Sequence, residues 1–535
     1  MSAAIFLTLS FIVMQHGHLH EDAYILYIYS ENFAKTGVIN YYSGGPPTEG
    51  ATDFLWMILI ALLNYFGIPS GVASSILNTI GVFLVTFVFA LCASRQELNR
   101  FVLLLITIFV PISNIGQAAF MGFSTALYSA VIAGLVYFGM FGKGRSILLV
   151  PVLGLVLALL RPDGAIIGGL TALLILTAVE RHMKARYLLV SLGGAVVGMA
   201  YFVWRWNYFG EILPLPLIVK SSSDVLLPGL GTNMKWMFYV APLLGLACSS
   251  AFFLKGCYLR ALAVSAPILI YFISISFAAQ SQNVGHRFQA PMLVLIIFFA
   301  ALALSSIWGK EKNIRRNKLT KSASIFAIIF PIFIFSANDA RVSALMIRSA
   351  IKGEYIDVFP YFLSEHLYSD STIVLTEAGR LAYWTPGRKY DLVGLNTAET
   401  AVNGATVEYL RNADADLIMI HQANTLNGVT CPEFQDFCRL SSEDFTEAFE
   451  TGRAPSVIFS ENRVLKAPAV TAQFLIENFQ DFAVYAVRYG DGYSHIYAVR
   501  GFGALGVKEF EGTLMRSFDE GSRLSYLQMV SWRQK

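Results

Sequence analysis

Charge is the scarcest feature of this sequence. Only 14% of the 535 residues are Asp, Glu, Lys or Arg, whereas 55% are hydrophobic, and the mean hydropathy is +0.56. Ordinary soluble domains carry about 25% charged residues, so a wholly soluble protein is excluded. The deficit lies mostly before residue 338, and residues 338–535 have the composition of an ordinary globular domain.

Excess positive charge is also missing, because the formal net charge is only +3. A balance this close to zero gives no reason to expect nucleic acid as a partner. Cysteine is rare as well: there are five, and only Cys431 and Cys438 lie in the polar C-terminal part. A disulfide between these two is plausible if that part lies outside the cytosol.

The first 14 residues are apolar and have no basic residues before them, so a cleaved signal peptide is not expected. They predict a first membrane span, although a short one for a bilayer that needs about 20 residues. Further apolar runs lie at 71–93, 101–116, 122–141, 146–160, 165–179, 187–207, 236–254, 261–277, 289–308 and 322–337. Together they predict about eleven transmembrane helices.

The run 54–66 decides the topology. It has 13 residues, a length more typical of interfacial or re-entrant segments than of spans. If it does not span, the basic loops, including the run from Lys310 to Lys321, all fall on one side, as the positive-inside rule requires. We therefore predict a cytosolic N-terminus, a first outward loop at 15–70, a membrane domain at 1–337 and an outward soluble α/β domain at 338–535.

The first outward loop contains an acidic pair, Glu21-Asp22, directly after the first span. A carboxylate at a membrane surface can serve as a general base for an acceptor hydroxyl, although a solvated helix cap would look the same in sequence. His16, His18 and His20 alternate just before the pair. With Glu21 or Asp22 they could hold a divalent metal, or they are simply interfacial histidines.

Several motifs along the chain carry a resemblance to a known family. They are Glu21-Asp22-Ala23-Tyr24, Gly44 to Gly50, Asp53 to Trp56, Arg161 to Gly164, Trp204 to Lys220, Gly285 to Phe288, Thr376 to Arg380 and Asp391 to Leu395. Their order resembles that of GT-C-type membrane glycosyltransferases, which use polyprenyl-phosphate-linked sugars, and most of all bacterial arabinofuranosyltransferases of cell-wall or pilin modification. The chain departs from that pattern at Ser124, at Leu215 and between Gln280 and Val284.

The resemblance implies roles for specific residues. Asp22 matches the family's catalytic Asp, and Glu21 is the second catalytic candidate. The candidates for binding the donor phosphate are Arg287, Lys220, Arg161 and Arg205, because positive charge stabilises a phosphate leaving group. Each has an alternative: Lys220 as a headgroup anchor, Arg161 as a partner of Asp163, and Arg205 as an aromatic-belt residue. The candidates for binding the acceptor are Glu49, Glu211, Glu377 and Arg380.

The function that this resemblance implies is transfer of a sugar, with arabinofuranose as the first candidate, to a glycan or a protein such as pilin. The reaction would occur at the outer face of a bacterial inner membrane. No cofactor is required by the pattern, and the divalent metal at His18 and His20 is the only candidate. The competing functions are a transporter or flippase of lipid-linked sugar or polysaccharide, and a non-catalytic envelope assembly protein. A transporter predicts paired broken helices in the two halves, which the sequence does not show.

Overall fold

The computed structural model describes most of the chain. Residues 96–99, 222–226, 255, 281, 311–317, 422–424, 427–428, 430, 432–434, 490–492, 502, 504, 521–523 and 534–535 lie outside the description, as do the side chains of 93–95, 100–102, 221, 253, 305–310, 318–334 and 493. The basic run from Lys310 to Lys321 and the tip of the predicted hairpin at 490–492 therefore fall outside the described residues.

The first two thirds of the chain are helical. The helices are α1 (Ser2–His16), α2 (Glu21–Thr36), α3 (Phe54–Tyr65), α4 (Ser70–Arg95), α5 (Arg100–Ile112), α6 (Asn114–Phe120), α7 (Thr125–Phe141), α8 (Leu149–Leu160), α9 (Gly164–Ile175), α10 (Lys184–Phe209), α11 (Leu215–Ser221), α12 (Leu230–Ser249), α13 (Tyr258–Ser274), α14 (Ala290–Lys310) and α15 (Lys318–Lys352). Most of the predicted apolar runs coincide with a helix, but α2 and α11 lie in predicted outward loops, and α15 continues well beyond the predicted end at 337.

One difference from the sequence has a local cause, and one short helix has the length that the sequence predicts. The run 101–116 is divided, since Ser113 separates α5 from α6 and its hydroxyl accepts the Ile115 N–H at the start of α6. Helix α3 has only 12 residues, about 18 Å at 1.5 Å per residue, and is too short to cross a bilayer core of about 30 Å unaided.

Four helices in the described part are long and apolar enough to cross a membrane, and six are if each of two bent pairs forms one span. The eleven predicted spans therefore stay a prediction. One bent pair is α1 and α2, whose axes meet at 91°. The sharp turn between them, residues 17–20, is called the elbow below.

The C-terminal α/β part, which the sequence predicts to be soluble and which we call the soluble part, begins at α16 (Tyr355–Leu363), after α15 has run unbroken through the predicted boundary at 337/338. Its strands are β1 (Thr372–Leu375), β2 (Arg388–Asp391), β3 (Leu417–Ile420), β4 (Phe437–Arg439), β5 (Phe482–Tyr489) and β6 (Tyr493–Arg500). Its helices are α17 (Arg380–Trp384), α18 (Ala398–Asn403), α19 (Val407–Ala413), α20 (Ser442–Thr451), α21 (Ala454–Val457), α22 (Arg463–Glu477), α23 (Val507–Glu520) and α24 (Tyr526–Arg533).

The strands form one mixed sheet in the order β2-β1-β3-β6-β5-β4. Strands β1, β2 and β3 run parallel, whereas β4, β5 and β6 pair antiparallel. The predicted strands near 371–375 and 416–420 and the hairpin around residue 491 are confirmed. A disulfide joins Cys431 to Cys438.

The soluble part packs directly on the elbow. The Tyr526 N–H donates to the Gly17 carbonyl, and the Tyr526 hydroxyl accepts the Gly71 N–H at 2.8 Å. A ring nitrogen of His18 lies 2.8 Å from the Leu524 carbonyl oxygen. The soluble part is thus held against the start of α2, where the acidic pair lies.

Candidate active site

The elbow fixes the direction of the acidic pair. His20 precedes α2 and its ring nitrogen Nδ1 accepts the Asp22 N–H, so the imidazole caps the helix. The acidic side chains of Glu21 and Asp22 then lie in the first turn, where the helix dipole favours negative charge. Since adjacent helical residues point about 100° apart, the two carboxylates face different parts of the molecule.

Asp22 faces the membrane helices. Its Oδ2 lies 3.6 Å from a terminal nitrogen of Arg287, and about a quarter of its side chain is exposed. The Arg287 guanidinium lies 3.8 Å from the centre of the Phe123 ring. Stacking on an aromatic face holds a guanidinium in place while leaving its N–H donors at the edge available.

Three cations gather around Phe288, and we call them with this ring the Phe288 cluster. Arg287 lies 5.2 Å from the ring centre, Arg161 5.4 Å and Lys220 6.0 Å. They come from three separate segments: the approach to α14, the turn between α8 and α9, and the end of α11. The structure therefore brings together three of the four arginine and lysine residues predicted to bind the donor phosphate.

The three cations of the cluster differ in how closely a carboxylate pairs with them. Arg161 is bonded to Asp163 through two hydrogen bonds of 3.1 and 3.0 Å, as the alternative interpretation of this turn expected. Lys220, in contrast, has no ion-pair partner within the residues that the structure describes. Burial lowers the pKa of Lys220, and the neighbouring Arg287 lowers it further. A bound anion would relieve this crowding of like charges.

The backbone before α14 holds Arg287 in place. Gly285 and His286 both have left-handed conformations, with φ of 56° and 52°. His286 is not glycine, so this conformation costs energy and requires support from the surroundings. The support is a buried amide network, in which Gln289 donates to Asn233 and Gln280, and the Asn283 side chain accepts the Phe288 N–H.

Asp53 is a residue of this site that the sequence interpretation missed as functional. Its Oδ2 accepts the Ser124 hydroxyl at 2.7 Å, and it lies close enough to Arg161 and Lys220 to interact electrostatically with both. Its sequence signals were its place in the motif Asp53 to Trp56 and its position directly before the apolar α3, which reads equally well as a helix cap. Asp53 makes no capping bond, so its carboxylate is free to face the cluster.

Glu21 faces the soluble part and is bonded there. Its Oε1 accepts the Gly379 and Arg380 N–H groups at 2.7 and 2.8 Å, and Oε2 lies 3.6 Å from the Arg380 guanidinium. Arg380 also contacts Asp357 at 2.8 Å and the Leu19 carbonyl at 3.2 Å. These bonds show Glu21 and Arg380 joining the elbow to the soluble part, while the predicted catalytic role of Glu21 and acceptor role of Arg380 stay predictions. We call this pair with Asp357 the Glu21 junction.

Two further candidate residues form a buried ion pair with each other. Arg205 is bonded to Glu49 by contacts of 2.7 and 2.5 Å and also donates to the Ile212 carbonyl. Both side chains are more than 90% buried, so neither charge is available for a phosphate or an acceptor. Glu211 lies half-buried in the turn between α10 and α11, and no bond within the described residues assigns it a role.

The predicted metal site at the elbow does not form. The imidazole of His18 is hydrogen-bonded to the Leu524 carbonyl, and that of His20 caps α2 by accepting the Asp22 N–H. Within the described residues, the one group of three metal-ligating side chains lies in the soluble part, at Glu377, His421 and His495. Glu377, predicted to bind the acceptor, is thus placed in another cluster. Asp391 is fully buried and accepts N–H groups from Val393, Gly394 and Asn396, as a structural turn residue does.

The fold resembles two crystal structures of ArnT from Cupriavidus metallidurans. The apo structure is 14% identical over 78% of this chain and 92% of that chain, with a TM-score of 0.52. The structure bound to undecaprenyl phosphate is 11% identical over 94% of this chain and 98% of that chain, with a TM-score of 0.58. These two likenesses confirm the GT-C-type membrane fold that the motifs predicted.

A cryo-EM structure of the arabinofuranosyltransferase AftD from Mycobacteria is 14% identical over 82% of this chain and 37% of that chain, with a TM-score of 0.49. Residues 350–484 match a family described as a domain of unknown function, DUF8728. No curated protein matches the sequence significantly.

Proposed function

We propose that this protein is a membrane glycosyltransferase that moves a sugar from a polyprenyl-phosphate donor to an acceptor hydroxyl. The observation that carries the proposal is the position of Asp22 beside the Phe288 cluster, where a partly exposed carboxylate lies next to three cations from separate segments. The fold supports it, since one of the ArnT structures of the same fold contains undecaprenyl phosphate.

The chemistry needs one base and one anion site. The acceptor oxygen attacks the anomeric carbon of the donor sugar while the bond from that carbon to the phosphate oxygen breaks. The hydroxyl proton passes to Asp22, and the electron pair of the broken bond stays on the phosphate. Arg287 and Lys220, with Arg161 behind them, stabilise the negative charge that develops there.

The identity of the donor sugar and the compartment of the reaction are each supported by a single feature. The motifs resemble those of arabinofuranosyltransferases most closely, which makes arabinofuranose the first donor to test and a glycan or pilin-like protein the first acceptor. Placement at the outer face of a bacterial inner membrane is supported by the Cys431–Cys438 disulfide, because such bonds persist in oxidising compartments.

The test is a panel of radiolabelled donors with the purified full-length protein in detergent. We expect transfer or hydrolysis from one polyprenyl-phosphate pentose or hexose and none from the matching nucleotide sugars. Undecaprenyl phosphate alone should bind the wild-type protein and bind Lys220→Met more weakly. Absence of turnover with every lipid-linked donor, or turnover with a nucleotide sugar instead, would overturn the proposal. Donor movement across sealed vesicles without bond cleavage would support a flippase.

A further inference from the structure

Three side chains outside the proposed reaction centre meet at one end of the soluble sheet. His421 follows the last residue of β3, and Glu377 lies two residues after the end of β1. His495 is on β6, which pairs with β3 such that Ile420 is opposite Ile496. Because β1, β3 and β6 are neighbours in the sheet, their adjacent ends bring these three side chains together.

The ligand atoms are close to one another. His421 Nδ1 lies 2.9 Å from His495 Nε2 and 3.4 Å from Glu377 Oε2, and the three atoms lie within 4.8 Å of one another. With metal–ligand bonds of about 2.05 Å, separations of this size correspond to angles of roughly 90° and 110° at a shared ion. The larger angle is close to that of a tetrahedral site, and the smaller one is about 20° narrower.

We propose that Glu377, His421 and His495 bind a divalent transition metal of the Zn²⁺ class. Two imidazoles and one carboxylate are a ligand set that zinc accepts, and it leaves a fourth position open. His495 is buried, whereas Glu377 and His421 are about one-fifth exposed, which provides a path for the ion. Without metal, the two imidazoles share a hydrogen bond in the same place.

The surroundings of His495 resemble the outer shell of a metal site. Its second ring nitrogen, Nδ1, lies 2.6 Å from the Tyr355 hydroxyl, and the Tyr489 ring stacks on the imidazole at 4.1 Å. A hydrogen bond at the far nitrogen fixes the orientation of a histidine ligand and leaves Nε2 to face the ion. Tyr355 is itself buried, stacked on the Phe518 ring on one side and in contact with His495 of the sheet on the other.

Metal binding at this site would affect the adjoining Glu21 junction. Glu377 and Arg380 are three residues apart in one loop, and their charges interact, so an ion on Glu377 adjoins the Glu21 junction. A metal would therefore brace the loop that holds the elbow. Metal binding does not depend on the proposed sugar transfer, and it is measured without any donor.

The experiment titrates metal-free, full-length protein in detergent with Co²⁺ and then with Zn²⁺, with visible absorption and metal analysis as readouts. We expect one ion per chain in the wild-type protein, with Zn²⁺ displacing Co²⁺. His421→Ala and Glu377→Gln should each weaken binding by at least ~100-fold, and Tyr355→Phe by ~10–100-fold. The control is His182→Ala, whose side chain is 73% exposed and far along the chain from this site.

Two results would overturn the proposal. One is a wild-type protein that takes up no stoichiometric metal, and the other is Glu377→Gln binding as tightly as wild type. Glu377→Gln conserves the side-chain shape, and its melting curve without metal shows whether it is folded. In folded protein, added Zn²⁺ should raise the melting temperature of the wild type and of His182→Ala but not of Glu377→Gln.

Discussion

Glu21 and Asp22 are neighbours at the start of one helix, yet they belong to two different regions of the molecule. Glu21 is held in the Glu21 junction, where each charged group has a bonded partner. Asp22 borders the Phe288 cluster, where Lys220 has no ion-pair partner among the described residues and Arg287 lies 3.6 Å from the carboxylate. A region whose charges are satisfied holds a structure together, whereas a region with unsatisfied charge is prepared for a ligand.

The largest expected effect separates the two carboxylates by activity. Asp22→Asn should lower the rate of sugar transfer by ~10²–10⁴-fold, since loss of a general base removes that much. Glu21→Gln keeps an oxygen for the Gly379 and Arg380 N–H groups and should lose far less. Rates at saturating donor would be compared with those of Asp519→Asn, an exposed control. Equal losses in the two carboxylate variants would remove the distinction.

Arg287 tests the charge of the Phe288 cluster. Arg287→Gln should lower kcat by ~10²–10³-fold, as removal of a group that stabilises developing negative charge does. Arg287→Lys keeps the positive charge but loses the stacking on Phe123, so its rate should lie between those of the wild type and Arg287→Gln. The control is Arg411→Gln, which breaks an ion pair on the soluble surface with Glu477. A wild-type rate in Arg287→Gln would show that the cluster is structural.

Substitution in the Glu21 junction is expected to lower the stability of the folded protein. Glu21→Ala leaves the Gly379 and Arg380 N–H groups without their acceptor, and each buried donor left unsatisfied costs about 1–3 kcal/mol. The loss would appear in thermal unfolding of the detergent-solubilised protein and in faster proteolysis between α15 and the sheet. Asp22→Ala, tested alongside, should unfold within about 1 kcal/mol of wild type because its pair with Arg287 is loose.

The smallest expected effect concerns the buried Lys389, which we compare with the buried Lys220. Lys389 on β2 has one hydrogen bond in the described part, to the Gly387 carbonyl, and burial with the nearby Arg533 charge lowers its pKa to about 7. The unfolded lysine has a pKa of about 10.4, so the unfolded state binds more protons between these values and stability rises with pH there. This contribution is roughly 2 kcal/mol between pH 7 and 9.

Unfolding measured across that range checks the prediction. Lys389→Met should be more stable than wild type at pH 7, and the difference should shrink toward pH 9, with transfer unchanged. Lys220→Met, in contrast, should impair donor binding. A Lys389→Met variant with the pH dependence of wild type would show that this lysine is solvated.

Much of the organisation could be predicted from the sequence because it rests on local patterns. Apolar runs gave the membrane helices within a few residues, and the turn around residue 491 with its flanking β-type runs gave the β5–β6 hairpin. Charge placement assigned the segments of Asp22, Arg161, Lys220 and Arg287 to one side, and the structure brings them together. The divided run at Ser113 was missed because an apolar sequence does not reveal a break.

Only the tertiary structure decided which charged groups are paired. Arg205 and Arg287 look alike in sequence, each beside aromatic residues, yet Arg205 meets Glu49 from a loop 156 residues away. Asp53, and the grouping of Glu377 with His421 and His495, escaped the sequence for the same reason, since their partners come from distant segments. Hydropathy patterns and helix caps depend on residues that are close together in the sequence. The availability of a charge depends on every segment that packs around it. The sequence alone therefore determined where most of the apolar helices lie, and packing decided which charged groups are paired.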